Sequence, residues 1–277
     1  MADATPRQEP LEVAPETFLI RAVQYSLGRA LSTNHNSLVI RAAEPVIVDT
    51  GMVTHRDEWI HDVFSLVDPD DVRWIYLTHD DDDHSGNLGE AIERCPHATI
   101  VMSWAAMGRT CAAFGIPRDR VRPVDHGESF DVGDRALRAF RPPVYDSPYT
   151  RGLFDPTTRV YHAADAFGGL MPAEPVDRVD QMPARMWEEG MVMVHYHSIA
   201  PWLAVVDPAK FRDEVTKLAG LGAEVIVGAH TPVISGSSVD RALALLAGLP
   251  SATPPPLSPS SGDLLAGHQT GSGTGAP

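Results

Sequence analysis

The sequence predicts an α/β protein built as a four-layer αββα sandwich, two sheets face to face with helices outside. Strand and helix signals alternate along residues 17–250, yet strands outnumber helices by too much for one doubly wound sheet. In addition, three apolar strands end in side chains able to bind a metal.

In chain order, "TFLIRAV" and "SLVIRAAEPVIVDTG" read as two or three neighbouring β-branched strands. "RDEWIHDVFSLV" (56–67) sets Trp59, Ile60, Val63, Phe64 and Val67 on one helical face. "VRWIYLTH" (72–79) is a mostly apolar strand, as expected for burial on both faces. A helix starts at Ser85 and stops at Pro96, and "ATIVMS" is the next strand. "GESFDVGDRALRAF" (127–140) reads as a hairpin, with glycine-containing turn residues between two alternating runs. "RVYHAAD" (159–165) and "EVIVGAH" (224–230) are strands. "PAKFRDEVTKLAGL" (208–221), with proline in its first turn, and "SVDRALALLAGL" are helices. Trp104 and Trp187 are expected in the core. Residues 1–16 are expected to be flexible, and the Pro/Ser/Gly-rich residues 251–277, with His268, a disordered tail.

Composition narrows the function. Of 277 residues, 43% are hydrophobic and 21% charged, enough apolar content for a sizeable core. A net charge of −15 with two lysines, Lys210 and Lys217, argues against nucleic acid or an anionic membrane surface as partner. Cys95 and Cys111 lack metal or redox spacing and read as thiols in a reducing compartment. There is neither a signal-peptide pattern at the start nor an apolar run long enough to span a bilayer, so a cytoplasmic protein is expected, and a homo-oligomer.

The chemistry gathers at strand ends. "VRWIYLTH" ends at His79 and opens into "DDDDHSGN"; the other two strands end at Asp165 and His230. In an extended segment alternate side chains point the same way, so His79 and Asp81 serve one ion while Asp80 turns away. Asp83 and His84, one short turn on, reach a second ion. Divalent cations relieve the repulsion within such an acidic run.

The pattern H-x-[HED]-x-D-H after a strand, then "DAFG", then a late strand ending in histidine resembles the metallo-β-lactamase fold. The closest resemblance is to its diiron branch, the flavodiiron and oxygen-binding diiron proteins, where the third loop position is a carboxylate, here Asp81. "HAADAFGG" and "GAHTPVIS" resemble that branch's bridging-aspartate and last-histidine segments, and "HYHSIAPW" (195–202) the segment before its final helix. The resemblance implies one iron on His79, Asp81 and Asp165, and another on Asp83, His84, Asp165 and His230. The branch normally adds a histidine to the first iron, where "RPPVYDSPYTRGLFDP" carries Asp146. Two alternatives stay open: Asp146 ligates as a carboxylate, or His162, His195 or His197 completes the site. His35 lines the pocket mouth or serves a turn, Tyr196 and His197 are open to a role near the site, and His55, His61 and His97 are expected on the surface.

Donor chemistry points the same way. A carboxylate-rich set favours iron or manganese over zinc. If Asp81, Asp83, Asp146 and Asp165 all ligate, four negative charges cancel two divalent ions. Such a neutral pair is a weak Lewis acid for hydrolysis but stabilises trivalent metal. The expectation is therefore a diiron oxidoreductase that binds or activates dioxygen or nitric oxide, or an oxygen-binding sensor. With no flavodoxin segment visible, electrons are expected from a separate donor or a small organic substrate. The competing class is a dinuclear hydrolase of an ester, thioester or lactone, with zinc or manganese as alternative metals.

Overall fold

The computed structural model describes residues 7–26 and 30–255. Strands β1 (Leu11–Ala14) and β2 (Thr17–Ile20) form a hairpin, β3 (Val23–Ser26) and β4 (Leu31–Asn34) pair as a ribbon, and β5 (Ser37–Ile40) returns to β2. There follow β6 (Val46–Val48), α1 (Arg56–Leu66), β7 (Trp74–Tyr76), α2 (Asp82–Ser85), α3 (Leu88–Arg94), β8 (Thr99–Ser103), α4 (Met107–Phe114) and β9 (Val121–Val124). The first sheet runs β1-β2-β5-β6-β7-β8-β9, and its β6 to β9 are parallel.

The second half opens with the expected hairpin, β10 (Ser129–Asp131) against β11 (Ala136–Phe140), with Phe130 opposite Leu137. It continues through β12 (Gly152–Asp155), β13 (Val160–His162), the short β14 (Met171–Pro172) and α5 (Ala184–Val194). A π-turn over His195–Ile199 leads to α6 (Pro208–Ala219), β15 (Val225–Gly228), β16 (Thr231–Ser235) and α7 (Ser237–Gly248). The second sheet runs β10-β11-β12-β13-β15-β16, and β14 joins the β3-β4 ribbon.

The alternation of strand side chains makes the layers. Val48, Tyr76 and Val101 point between the sheets and pack on Phe130, Leu137, Leu153 and Val227. Their neighbours Ile47, Ile75 and Ile100 point outward, under Trp59 and Val63 of α1 and Leu88 and Ala91 of α3. Behind the second sheet, Tyr161 and Ile226 pack against Met191, Phe211, Val215 and Leu246 of the last three long helices. The result is the αββα sandwich of the metallo-β-lactamase type, with helices on both outer faces.

Three expectations need correction. Residues 11–14 of the segment expected to be flexible form β1, its Leu11 opposite Leu19, and Arg7 pairs with the buried Asp62 of α1. The helix expected from Ser85 is two helices, broken where the Asn87 side chain donates to the Thr50 and Met52 carbonyls. Gly86 fits that break, because a Cβ there would lie 2.6–2.8 Å from the backbone of Asp82, Gly51 and Val53. Trp187 is buried as expected, but Trp104 is 74% exposed, since the chain leaves the sheet after Ser103 and turns into α4. Residues 256–277 of the tail expected over 251–277, with His268, lie outside the described residues. No helix among the described residues is long and apolar enough to cross a membrane.

Candidate metal centre

Parallel pairing puts the ends of β6 and β7 side by side in one sheet and those of β13 and β15 side by side in the other. Past these four ends come Asp49, His79, Asp165 and His230. The acidic loop after β7 supplies Asp81, Asp83 and His84, and the loop between β11 and β12 supplies Asp146. All seven residues singled out from the sequence therefore arrive at one place.

Asp165 lies at its centre. Its Oδ2 is 3.2 Å from Nε2 of His79, while its Oδ1 is 2.8 Å from Nε2 of His84 and 3.3 Å from Nε2 of His230. Beside His79 stand Asp146, 3.7 Å away, and Asp81, 3.8 Å away. Beside His230 stands Asp83, at 3.1 Å, which is also 3.7 Å from His84. The donors thus fall into two groups that share one buried carboxylate. Donor atoms of His79, Asp81 and Asp146 lie within 4.8 Å of one another, and so do those of His79, His84 and Asp165.

The rest of the acidic loop behaves as alternation requires. Asp80 turns away from the cluster to Arg109, which lies over the Tyr149 ring, and accepts from Thr110 Oγ1. Asp82 is exposed in the first turn of α2. The three alternative histidines do not join the group around His79. His162 is buried, with Nδ1 accepting from the Ala164 amide; His195 donates Nδ1–H to the Met191 carbonyl; exposed His197 contacts the Pro255 carbonyl. Tyr196 donates to the Leu249 carbonyl. His61 and His97 are exposed, while His55 is half-buried beside Glu58.

Two further residues stand at the site, Asp49, which was not assigned to it from the sequence, and His35, which was left open between the pocket mouth and a turn. Asp49, fully buried, accepts from His84 Nδ1 at 2.8 Å and from both the amide and the hydroxyl of Thr78. With its proton held on Nδ1, His84 presents a lone pair on Nε2. The signal was available, because "VIVDTG" is also an apolar strand ending in a carboxylate. The second residue, His35, stands with its Nδ1 3.5 Å from Asp83. His230 is oriented in the same manner as His84, its Nδ1–H donating to the Asn34 carbonyl at 2.8 Å.

Backbone strain collects at the same place. Asp49, Ala164 and Phe167 hold positive φ (58°, 53° and 68°), unusual for residues with a Cβ. A Cβ on Gly168 would lie 2.9 Å from the Asp165 carbonyl oxygen and 3.1 Å from Cβ of His230, so the "DAFGG" turn needs glycine there to bring the two together.

The cluster fits metal ions. Nε2 of His79, Nε2 of His84 and Oδ1 of Asp165 are buried and have no hydrogen-bond partner among the described residues. Two of these atoms are 2.8 Å apart without a hydrogen bond, the arrangement of donors facing a shared cation.

Electrostatics couples proton and metal. Burial opposes charging of His230, but Asp165 and Asp83 outweigh it and raise its pKa to about 10. Burial likewise works against the Asp165 carboxylate, yet His84 and His79 hold it well below the usual carboxylate range. The His230 contribution to the stability of the metal-free protein is therefore complete below the ordinary value of 6.5 and lost as pH rises through about 10. Metal must displace that proton. Calorimetry in buffers of different ionisation enthalpy is expected to show proton release on metal binding and affinity that rises from about pH 6 to about pH 9. Binding without proton release would contradict this account.

Fold and clustered donors together define a protein of the metallo-β-lactamase class with a site suited to two neighbouring metal ions. The chain belongs to the ODP family beta lactamase, whose family model matches residues 32–230. It is 27% identical over 169 residues to the type A flavoprotein fprA of Rhodobacter capsulatus, covering 57% of this chain and 39% of that protein. It is 28% identical over 205 residues to the anaerobic nitric oxide reductase flavorubredoxin of Vibrio vulnificus, covering 72% of this chain and 40% of that one. In fold it is similar to rubredoxin oxygen:oxidoreductase from Desulfovibrio gigas, with a TM-score of 0.74 and 19% identity over 89% of this chain and 63% of the other. The chain thus spans about two-fifths of the length of these curated relatives.

Proposed function

We propose that this protein is a non-haem diiron oxidoreductase that binds or reduces dioxygen or nitric oxide. The observation that carries this reading is the charge of the donor set: Asp81, Asp83, Asp146 and Asp165 all stand within 4 Å of a cluster histidine. Four carboxylates match the charge of two divalent ions, which weakens Lewis acidity and favours oxidation of the pair. Relatives named as a flavoprotein and as a nitric oxide reductase support the same reading.

The first ion is assigned to His79, Asp81, Asp146 and Asp165, and the second to Asp83, His84, His230 and Asp165. Two iron ions held this way would supply electrons to a small diatomic ligand. The protein residues do the rest. Asp165 spans both groups and fixes their separation. Asp49 and the Asn34 carbonyl lock the imidazoles of His84 and His230 with Nε2 toward the cluster. Asp81 and Asp83 also border an open cleft of about 700 Å³, together with Asp80, Asp82, Arg109 and Phe114.

Loaded with iron without air, the protein is expected to hold about two ions per chain and to develop ferric charge-transfer absorption when exposed to oxygen. A zinc form fully active on esters, beside an iron form inert to oxygen and nitric oxide, would overturn this reading and favour a hydrolase.

A further inference from the structure

We propose that His35 is an additional ligand of the second ion, so that a nitrogen-rich metal position lies beside a carboxylate-rich one. The inference rests on the dinuclear reading above and goes beyond it by assigning a donor and a difference in metal preference between the two positions.

His35 lies in the short link between β4 and β5. One donor atom from each of His35, Asp83 and His230 lies within 4.8 Å of the others. The Nδ1 of His35 is 3.5 Å from Oδ2 of Asp83, and its ring meets that of His230 edge-on at 5.2 Å. The side chain is 12% exposed, and its Nδ1 is a buried nitrogen without a hydrogen-bond partner among the described residues. An unsatisfied buried polar atom is costly, and a shared cation satisfies it together with Asp83.

The backbone shows that this placement is built in. The His35 amide donates to the Ala22 carbonyl, and the Asn36 amide to that of Ala229. The Asn36 side chain donates to the carbonyls of Gly228 and Thr231, and His230 in turn donates to that of Asn34. Residues 34–36 and 228–231 are thereby one hydrogen-bonded unit, and the backbone that positions His230 also positions His35.

With His35 included, the second ion has three imidazoles, His35, His84 and His230, and two carboxylates, Asp83 and Asp165. The first has one imidazole, His79, and three carboxylates, Asp81, Asp146 and Asp165. Imidazole suits zinc and cobalt, whereas carboxylate suits manganese. Given one equivalent each of zinc and manganese, the chain should sort them, with zinc at the His35 side.

The test uses the full chain with metal alone. Anomalous diffraction of crystals loaded with zinc and manganese is expected to place zinc among His35, His84 and His230 and manganese beside His79. In His35→Ala, affinity for the second zinc ion should fall by at least roughly tenfold, and the visible spectrum of the cobalt form should change. His35→Phe, which fills the same space without a donor, should lose the same ion while thermal unfolding shows it folded. Either variant, folded, with two zinc ions at unchanged affinity and an unchanged cobalt spectrum would overturn the role of His35. So would unsorted zinc and manganese. Fewer than two ions on the unaltered chain would overturn the dinuclear reading itself, and this proposal with it.

Discussion

Asp165→Ala is expected to bind neither ion with measurable affinity, the largest effect of any single substitution in this protein. Its two carboxylate oxygens divide between the two groups, Oδ2 toward His79 and Oδ1 toward His84 and His230. In the proposed assignment Asp165 is the one carboxylate given to both ions, so its replacement takes an anion from each. Its loss also leaves His84 and His230 short of the buried carboxylate that favours their charged forms, and removes the anion that offsets the repulsion between His79 and His84. Asp165→Asn keeps the shape but replaces a charged oxygen pair by a neutral amide, and should weaken both sites by roughly a hundredfold or more, the upper end of losses from disturbed metal shells. Asp82→Asn, on an exposed side chain, should leave metal content unchanged. Asp80→Asn should also keep two ions while loosening Arg109. Metal analysis of the four purified variants decides the matter, and an Asp165→Ala protein that still carries two ions would defeat the bridging assignment.

The second large effect is expected at Asp146. The loop that carries it is pinned, because Trp202 Nε1 donates to the Tyr145 carbonyl at 3.1 Å and Arg151 to that of Pro148 at 3.2 Å. Burial first, and then the Asp165 carboxylate, raise the Asp146 pKa to about 6, against the opposing pull of His79. Asp146→His removes one negative charge from the first position while keeping a donor. Occupancy should then stay near two, and the reduction potential of the iron pair should rise, because trivalent metal loses part of its charge compensation. Asp146→Ala should lower occupancy at the His79 side alone and leave the ion held by Asp83, His84 and His230. Mössbauer spectra with a redox titration separate these outcomes. Two unchanged iron signals in Asp146→Ala would make this side chain a turn former and nothing more.

Much of this was legible in the chain because strand periodicity and metal chemistry both act locally. An apolar run that is buried on both faces must end where the sheet ends, so the residue after it lies at a rim; that logic placed His79, Asp165 and His230 from the sequence. Alternation within an extended segment separated Asp81 from Asp80 for the same reason, and the structure shows the two side chains facing different ways. Asp49 follows the same rule but went unassigned, since it contacts the cluster through His84 and no spacing between strands reveals a pairing over 35 residues.

Other features depended on distant contacts. Trp104 has the composition of a core residue but sits one position past the end of β8, where nothing covers it among the described residues. The strand at Leu11–Ala14 forms because Leu19 and its neighbours offer an edge to pair with, which no property of "LEVA" by itself specifies. His35 and Asp146 show the same limit at the site. The sequence by itself determined the fold class, the strand ends and the chemical kind of donor, because these follow from local periodicity and side-chain type. Only the tertiary structure decided that His35 joins Asp83 and His230, and that Asp146 rather than His162, His195 or His197 stands beside His79. Those choices depend on how loops far apart in the chain are pinned together by backbone hydrogen bonds, and such bonds leave no periodic trace in the residues that make them.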